Sequence, residues 1–169
     1  EKLENTINSD LANNYGNLCQ RVIAFSEKNL DLEIPKNINF VENDLKILNE
    51  FNSNYSKLID FINNQDINGY SNFVVDRLFA SNKYFNDEEP WNKKNDKQRL
   101  NTIIYVSLEL IRKITILLYP IIPDSALKVL NIFDINEDMI SFESIKNNEF
   151  LQSGKKMKKM KILFKKVGQ

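Results

Sequence analysis

The stretch KQRLNTIIYVSLELIRKITILLY, residues 97–119, is apolar on most of its helical circumference. A helix that is hydrophobic nearly all round belongs at the centre of a bundle. Other segments carry narrower apolar stripes. In residues 4–25, Ile7, Leu11, Tyr15, Leu18, Val22 and Phe25 recur at steps of three and four, the spacing of one helix face. Residues 42–64 repeat that spacing with Leu45, Leu48, Phe51, Tyr55, Leu58, Ile59 and Ile62, and residues 67–86 with Tyr70, Phe73, Val74, Leu78 and Phe85. LDLEIPKNINF, residues 30–40, reads as a connector, because its proline and polar breaks interrupt any periodicity. Pro120 ends or kinks the central helix, and Pro123 marks the start of a short fifth helix in IPDSALKVLNIF. Beyond residue 134 the periodicity fades. The pattern predicts an all-α antiparallel helical bundle of about five helices over residues 1–134. An irregular basic C-terminal arm over residues 135–169 either packs on the bundle or trails from it.

Absences narrow the chemistry. The 169 residues contain no histidine, so an imidazole base, a Ser-His-Asp triad and a histidine-ligated metal are all excluded. Cys19 is the single cysteine, so no intramolecular disulfide and no cysteine-rich metal site can form. Four glycines form no phosphate-cradling loop. The chain is not expected to be an independent enzyme, with carboxylate chemistry the one class left open. The longest apolar stretch is broken by Glu109, Arg112 and Lys113, so no membrane span is expected. The charged opening EKLEN does not read as a secretory leader.

The zero net charge is unevenly spread. Seven lysines and no acids follow residue 154, which leaves sixteen bases against twenty-three acids in the body. An acidic body with a basic tail differs from the uniform basic surface of a nonspecific nucleic-acid binder. A nucleic acid bound here would be held locally, through few phosphate contacts. KKMKKMK reads first as a solvated charge run and second as a backbone contact.

Two features could carry recognition. The only tryptophan, Trp91, lies in the polar loop NDEEPWNKKND directly after Pro90. Its ring could fold back to cap the bundle, or it could stand as a platform for a flat ligand, with Pro90 limiting the loop's freedom. Asn13, Asn17 and Arg21 step by four along a face roughly opposite the apolar stripe of the first helix. They could be a solvated face. They could also be a ladder of amide and guanidinium groups able to read the edges of unpaired bases.

The residues also resemble a known family. NSDLANNYGNLCQRV is similar to the opening anticodon-domain helix of class I aminoacyl-tRNA synthetases. ASNKYFNDEEPWNKK resembles methionyl-tRNA synthetases in particular, where a Pro-Trp pair follows an Asn-Lys-Tyr helix end. LYPIIPDSALKVLNIF resembles that family's paired-proline segment and the helix after it, and GKKMKKMKILFKKV resembles its terminus, with lysines where the family has Pro-Arg. The resemblance implies a helical anticodon-binding domain that reads the CAU anticodon of methionine tRNAs. Asn17 and Arg21 would bond the bases, with Asn13 on the same ladder, and Trp91, held by Pro90, would stack on the first anticodon base. The family's His-Ile-Gly-His and Lys-Met-Ser-Lys-Ser signatures are absent. The resemblance therefore implies a fragment inactive alone, whose parent is a cytoplasmic methionine–tRNA ligase. ATP, with any zinc or magnesium, would belong to the missing catalytic domain. That domain and the tRNA anticodon loop are the implied partners. Two alternatives stay open: the same domain of a leucyl, valyl or cysteinyl enzyme, and a helical protein-interaction module without RNA.

Overall fold

The computed structural model describes residues 2–160, with side chains from residue 9 onward. The side chain of Ile7, the ILF run at 162–164 and the lysines at 161, 165 and 166 lie outside the described residues.

The central helix, α5, runs Lys97–Leu118, and every residue from Thr102 to Leu118 is buried. Around it pack α1 (Lys2–Leu30), α2 (Glu42–Ser53), α4 (Ile67–Glu88) and α6 (Pro123–Ile132), and α3 (Tyr55–Asn63) packs on α2 and α4. No strand forms among the described residues; an isolated bridge pairs Glu33 with Lys156. The fold is the all-α bundle that the periodicity implies.

Two boundaries differ from the sequence expectation. α1 continues one turn past residue 25 and stops where Asp31 and Leu32 take left-handed backbone angles, φ 51° and 60°. The helix expected over 42–64 is broken at Asn54. There the run Ser53-Asn54 turns its side chains back on the helix. Ser53 Oγ donates to the Asn49 carbonyl at 2.6 Å and Asn54 Nδ2 to the Glu50 carbonyl at 2.7 Å. Such local bonds compete with the helical ladder and bend it.

Tertiary bonds fix the helix directions. The Tyr15 hydroxyl bonds Thr115 near the end of α5, while the connector after α1 reaches its beginning, where the Asn39 N–H donates to Thr102 Oγ1 at 3.0 Å. α1 is therefore antiparallel to α5. At the start of α4 the Tyr70 hydroxyl donates to the Leu117 carbonyl at 2.5 Å, and at its end Glu88 pairs with Arg99 at 2.8 Å. α4 is also antiparallel to α5, so α1 and α4, which pack together, run the same way.

The three charges that interrupt the apolar run are fully buried. Buried charges are tolerated only when paired and hydrogen-bonded. Arg112 Nε donates to Glu109 Oε2 at 2.8 Å, and its Nη2 donates to the Ser144 and Asn147 carbonyls at 3.2 and 2.6 Å. Glu109 Oε1 accepts the Leu151 N–H at 2.7 Å. Lys113 Nζ donates to Asn148 Oδ1 at 2.5 Å and to the Leu48 carbonyl at 3.2 Å. These bonds fasten residues 144–151 to the central helix.

The described lysines of the basic arm are exposed, as in a solvated run, yet the arm itself is packed on the bundle. Its main chain clasps the connector after α1. Gly154 N–H donates to the Ile34 carbonyl at 2.7 Å, Ile34 N–H to that of Lys155 at 2.8 Å, and Met157 N–H to that of Leu32 at 2.7 Å. The Met157 side chain is buried. The lysines pair with the acidic body: Lys155 and Lys158 with Asp134, Lys156 with Asp31, and Lys159 with Glu27. The described lysines of that run thus lie against acids of the body while staying exposed.

Candidate nucleic-acid interface

α4 cannot continue into Pro90, which lacks an amide donor. The helix ends at Glu88, and Glu89 takes a left-handed conformation, φ 47°, to cap it. A short 3-10 turn, Pro90–Asn92, follows. The Asn92 N–H donates to the Glu89 carbonyl at 2.9 Å and the Lys93 N–H to the Pro90 carbonyl at 3.1 Å. Asp96 closes the loop by accepting the Arg99 N–H at 3.1 Å, which caps α5. Pro90 is buried beneath the turn.

This geometry delivers Trp91 to the bundle surface. The residue stays 41% exposed while its ring meets Phe85 edge-on, with centroids 5.9 Å apart and planes inclined 68°. Phe85 is buried and also meets Phe25 edge-on at 6.5 Å. The Arg21 guanidinium lies over the same Phe85 ring, 5.1 Å from its centroid. Arg21 Nη2 donates to Asn86 Oδ1 at 2.5 Å, which orients the guanidinium fork. Arg21 and Trp91 thus share one buried ring. Asn17 and Asn13 are exposed one and two turns before Arg21 on α1, at about 6 Å and 12 Å along the axis.

A polar cluster braces the turn from below. Arg99 donates to both oxygens of buried Asp44, at 2.7 and 3.1 Å, and pairs with Glu88 at 2.8 Å. The Tyr84 hydroxyl and the Val41 N–H also donate to Asp44, at 2.6 and 3.0 Å. Burial works to raise the Asp44 pKa, but the bonds from Arg99, Tyr84 and Val41 outweigh it and hold the carboxyl below its usual range. Burial and the Asp44 charge both push the Tyr84 hydroxyl up. Glu88 spends its charge on Arg99, so of the two glutamates before Pro90 only Glu89 is exposed to a ligand.

Sequence reasoning singled out Arg21 and Trp91 as candidates but not the ring that joins them. Phe85 stands in the sequence as one more member of an apolar stripe, and Asn86 as one of many asparagines. Arg99 and Asp44 gave no sequence signal, since they lie 55 positions apart. Among the described residues no group of three His, Cys, Asp or Glu side chains could hold a metal ion, and no helix is long and apolar enough to cross a membrane.

Comparison with known proteins gives a consistent result. A family model described as the anticodon binding domain of methionyl tRNA ligase matches residues 34–169, a span that includes Pro90 and Trp91. The chain is 32% identical over 146 residues to the methionine–tRNA ligase of Brucella suis, covering 86% of this chain and 28% of that protein. It is 31% identical over 164 residues to that of Pyrococcus abyssi, covering 95% of this chain and 22% of the relative. The chain therefore spans about a quarter of the length of these relatives. Among solved structures, the free-state methionyl-tRNA synthetase of Mycobacterium tuberculosis superimposes with a TM-score of 0.86 at 27% identity, over 98% of this chain and 34% of that one. The same protein with methionyl-adenylate gives 0.82 over 93% of this chain and 32% of that one.

Proposed function

The chain belongs to the family of methionyl-tRNA ligase anticodon-binding domains, and from that premise we propose that it reads the CAU anticodon of methionine tRNA. The observation that carries the reading is the half-exposed Trp91 ring standing on the same buried phenylalanine as the Arg21 guanidinium. The indole offers a stacking surface for the first anticodon base. Arg21, oriented by Asn86, presents planar donors beside it, and Asn17 and Asn13 add amides that donate and accept at once. Pro90 keeps the platform in place, so less ordering entropy is lost on binding. This is readout of unpaired bases by stacking and edge bonding, with no chemical step in this domain.

The parent chain would join methionine to tRNA at the expense of ATP, in the cytoplasm. Its catalytic part would be the second partner of this domain and would hold ATP and any metal ion. The domain alone is expected to be inactive in aminoacylation and to need no cofactor.

The lone tryptophan provides the test. A CAU anticodon stem-loop is titrated into the protein while selectively excited Trp91 fluorescence is followed, with a stem-loop changed at the first anticodon base as control. Quenching by CAU alone is the expected result. Equal quenching by both would show that the domain holds the loop without reading the first anticodon base, and would remove the CAU reading. Absence of any response would favour a protein-interaction module.

A further inference from the structure

Phe79 is 61% exposed on α4. It lies seven residues before Asn86, two helical turns, so both side chains project from one face of α4 about 10.5 Å apart along the axis. Asn86 meets Arg21 on α1, and the two helices run the same way. Moving from Asn86 to Phe79 on α4 therefore runs in the same direction as moving from Arg21 toward Asn17 and Asn13 on α1. Phe79 therefore lies on the side of Asn86 away from Trp91, in the direction the amide ladder takes. The exposed surface along α4 thus carries two aromatic rings, Phe79 and Trp91, with Asn86 and its partner Arg21 between them. An isolated exposed phenylalanine is ordinary on a protein surface. One aligned with a ladder of base-edge donors has a chemically defined occupant.

We propose that Phe79 is a second stacking platform, which takes another unpaired nucleobase of the single-stranded loop whose first base rests on Trp91. The proposal rests on the anticodon reading above and extends it to a further subsite. Bases of a splayed loop are individually accessible, and stacking on an aromatic ring tolerates any base because each has a π-face. Phe79 would therefore add affinity and fix the direction in which the loop lies, and Arg21 and the asparagines would supply the base-edge selectivity.

The test is an abasic scan of the loop of a CAU stem-loop RNA, measured by affinity with the 169-residue wild-type chain and with Phe79→Ala, Phe79→Leu and Phe79→Trp. Wild type is expected to show a penalty at the Trp91 base and at a second loop position. Phe79→Ala should bind the unmodified RNA roughly tenfold or more weakly and lose the second penalty while keeping the first. Phe79→Leu should resemble Phe79→Ala, because it keeps apolar bulk without a ring face, and Phe79→Trp should restore binding. Unchanged affinity and an unchanged scan in Phe79→Ala would overturn the proposal while leaving the anticodon reading standing. A wild-type chain that binds no stem-loop would remove the anticodon reading and this subsite with it. Loss of a dimer in Phe79→Ala with RNA affinity unchanged would overturn the proposal in favour of self-association through this face.

Discussion

Trp91 rests edge-on against Phe85, with ring centroids 5.9 Å apart and planes inclined 68°, yet keeps 41% of its surface exposed. A ring meant only to seal the bundle end would be driven further under cover, since full burial of an aromatic side chain is worth about twice what half burial is. The contact with Phe85 holds the indole in place without covering it.

Trp91→Ala should weaken binding of a CAU stem-loop by about 1–3 kcal/mol, the value of one base–aromatic stack. Thermal unfolding should shift little, because the residue is only partly buried. A comparable loss of folding stability with unchanged RNA affinity would show that the ring is a cap.

Arg21→Lys should behave more like Arg21→Ala than like wild type. Lysine keeps the charge but lacks the planar fork that Asn86 and the Phe85 ring orient. Losing hydrogen bonds from a charged group costs roughly 1.5–3 kcal/mol, and the loss should fall on discrimination between cytosine and uracil at the first anticodon base. Full rescue by lysine, read as equal affinity ratios for the two bases, would contradict this.

The salt dependence of RNA binding by this domain should be shallow. The described lysines from 155 to 159 are paired with Asp134, Asp31 and Glu27, so they release few counterions on binding. With about 0.7 per phosphate on a single strand, two or three contacts give a log–log slope of about −2. A slope several times steeper would mean that the basic arm leaves the body to meet the backbone.

Arg99→Met should destabilise the fold by about 3–5 kcal/mol, because it leaves Asp44 buried without its counter-charge. It should also change the acid limb. Asp44 has its folded pKa depressed, so its contribution is present above the unfolded carboxylate value and is lost as pH falls through the folded one. In the variant that depression disappears, and with it the part of the stability lost between about pH 4 and the acid limit. Urea unfolding from pH 7 to pH 3 measures both effects. An acid limb identical to that of wild type would exclude the Asp44–Arg99 pair as its source.

Lys113 makes stability rise with pH as Asp44 does, in a higher window and for a different reason. Burial first, and the Arg112 charge second, press its pKa down to about 7, with Glu109 opposing them. Between about pH 7 and the unfolded value near 10.4, the unfolded chain holds a proton that the folded chain does not. Stability therefore rises with pH across that window and is lowest below it. Lys113→Met should flatten the rise between pH 7 and 9.5 in denaturant melts. A slope that survives the substitution would assign it to another group.

The helices were legible because each carries a local period. α5 announced its central place through apolar residues on every side, and Pro123 and the proline before Trp91 marked their turns. What stayed hidden depended on partners distant in the chain. Glu109, Arg112 and Lys113 read as interruptions of an apolar run, since their partners at 144–151 arrive only when the chain folds back. The break at Asn54 was missed because side chains that bond backward to carbonyls do not disturb the apolar spacing.

The same division holds for the site. A lone tryptophan after a proline in a polar loop, the shared helix face of Asn13, Asn17 and Arg21, and the lack of any histidine to do chemistry are all readable from the order of residues. That Arg21 meets Asn86 across 65 positions, that Phe85 carries both the guanidinium and the indole, and that α1 and α4 run in the same direction emerges when the helices pack. The physical reason is that helical periodicity acts within a few residues, whereas a packed ring or a buried charge is satisfied by whatever the folded chain brings beside it.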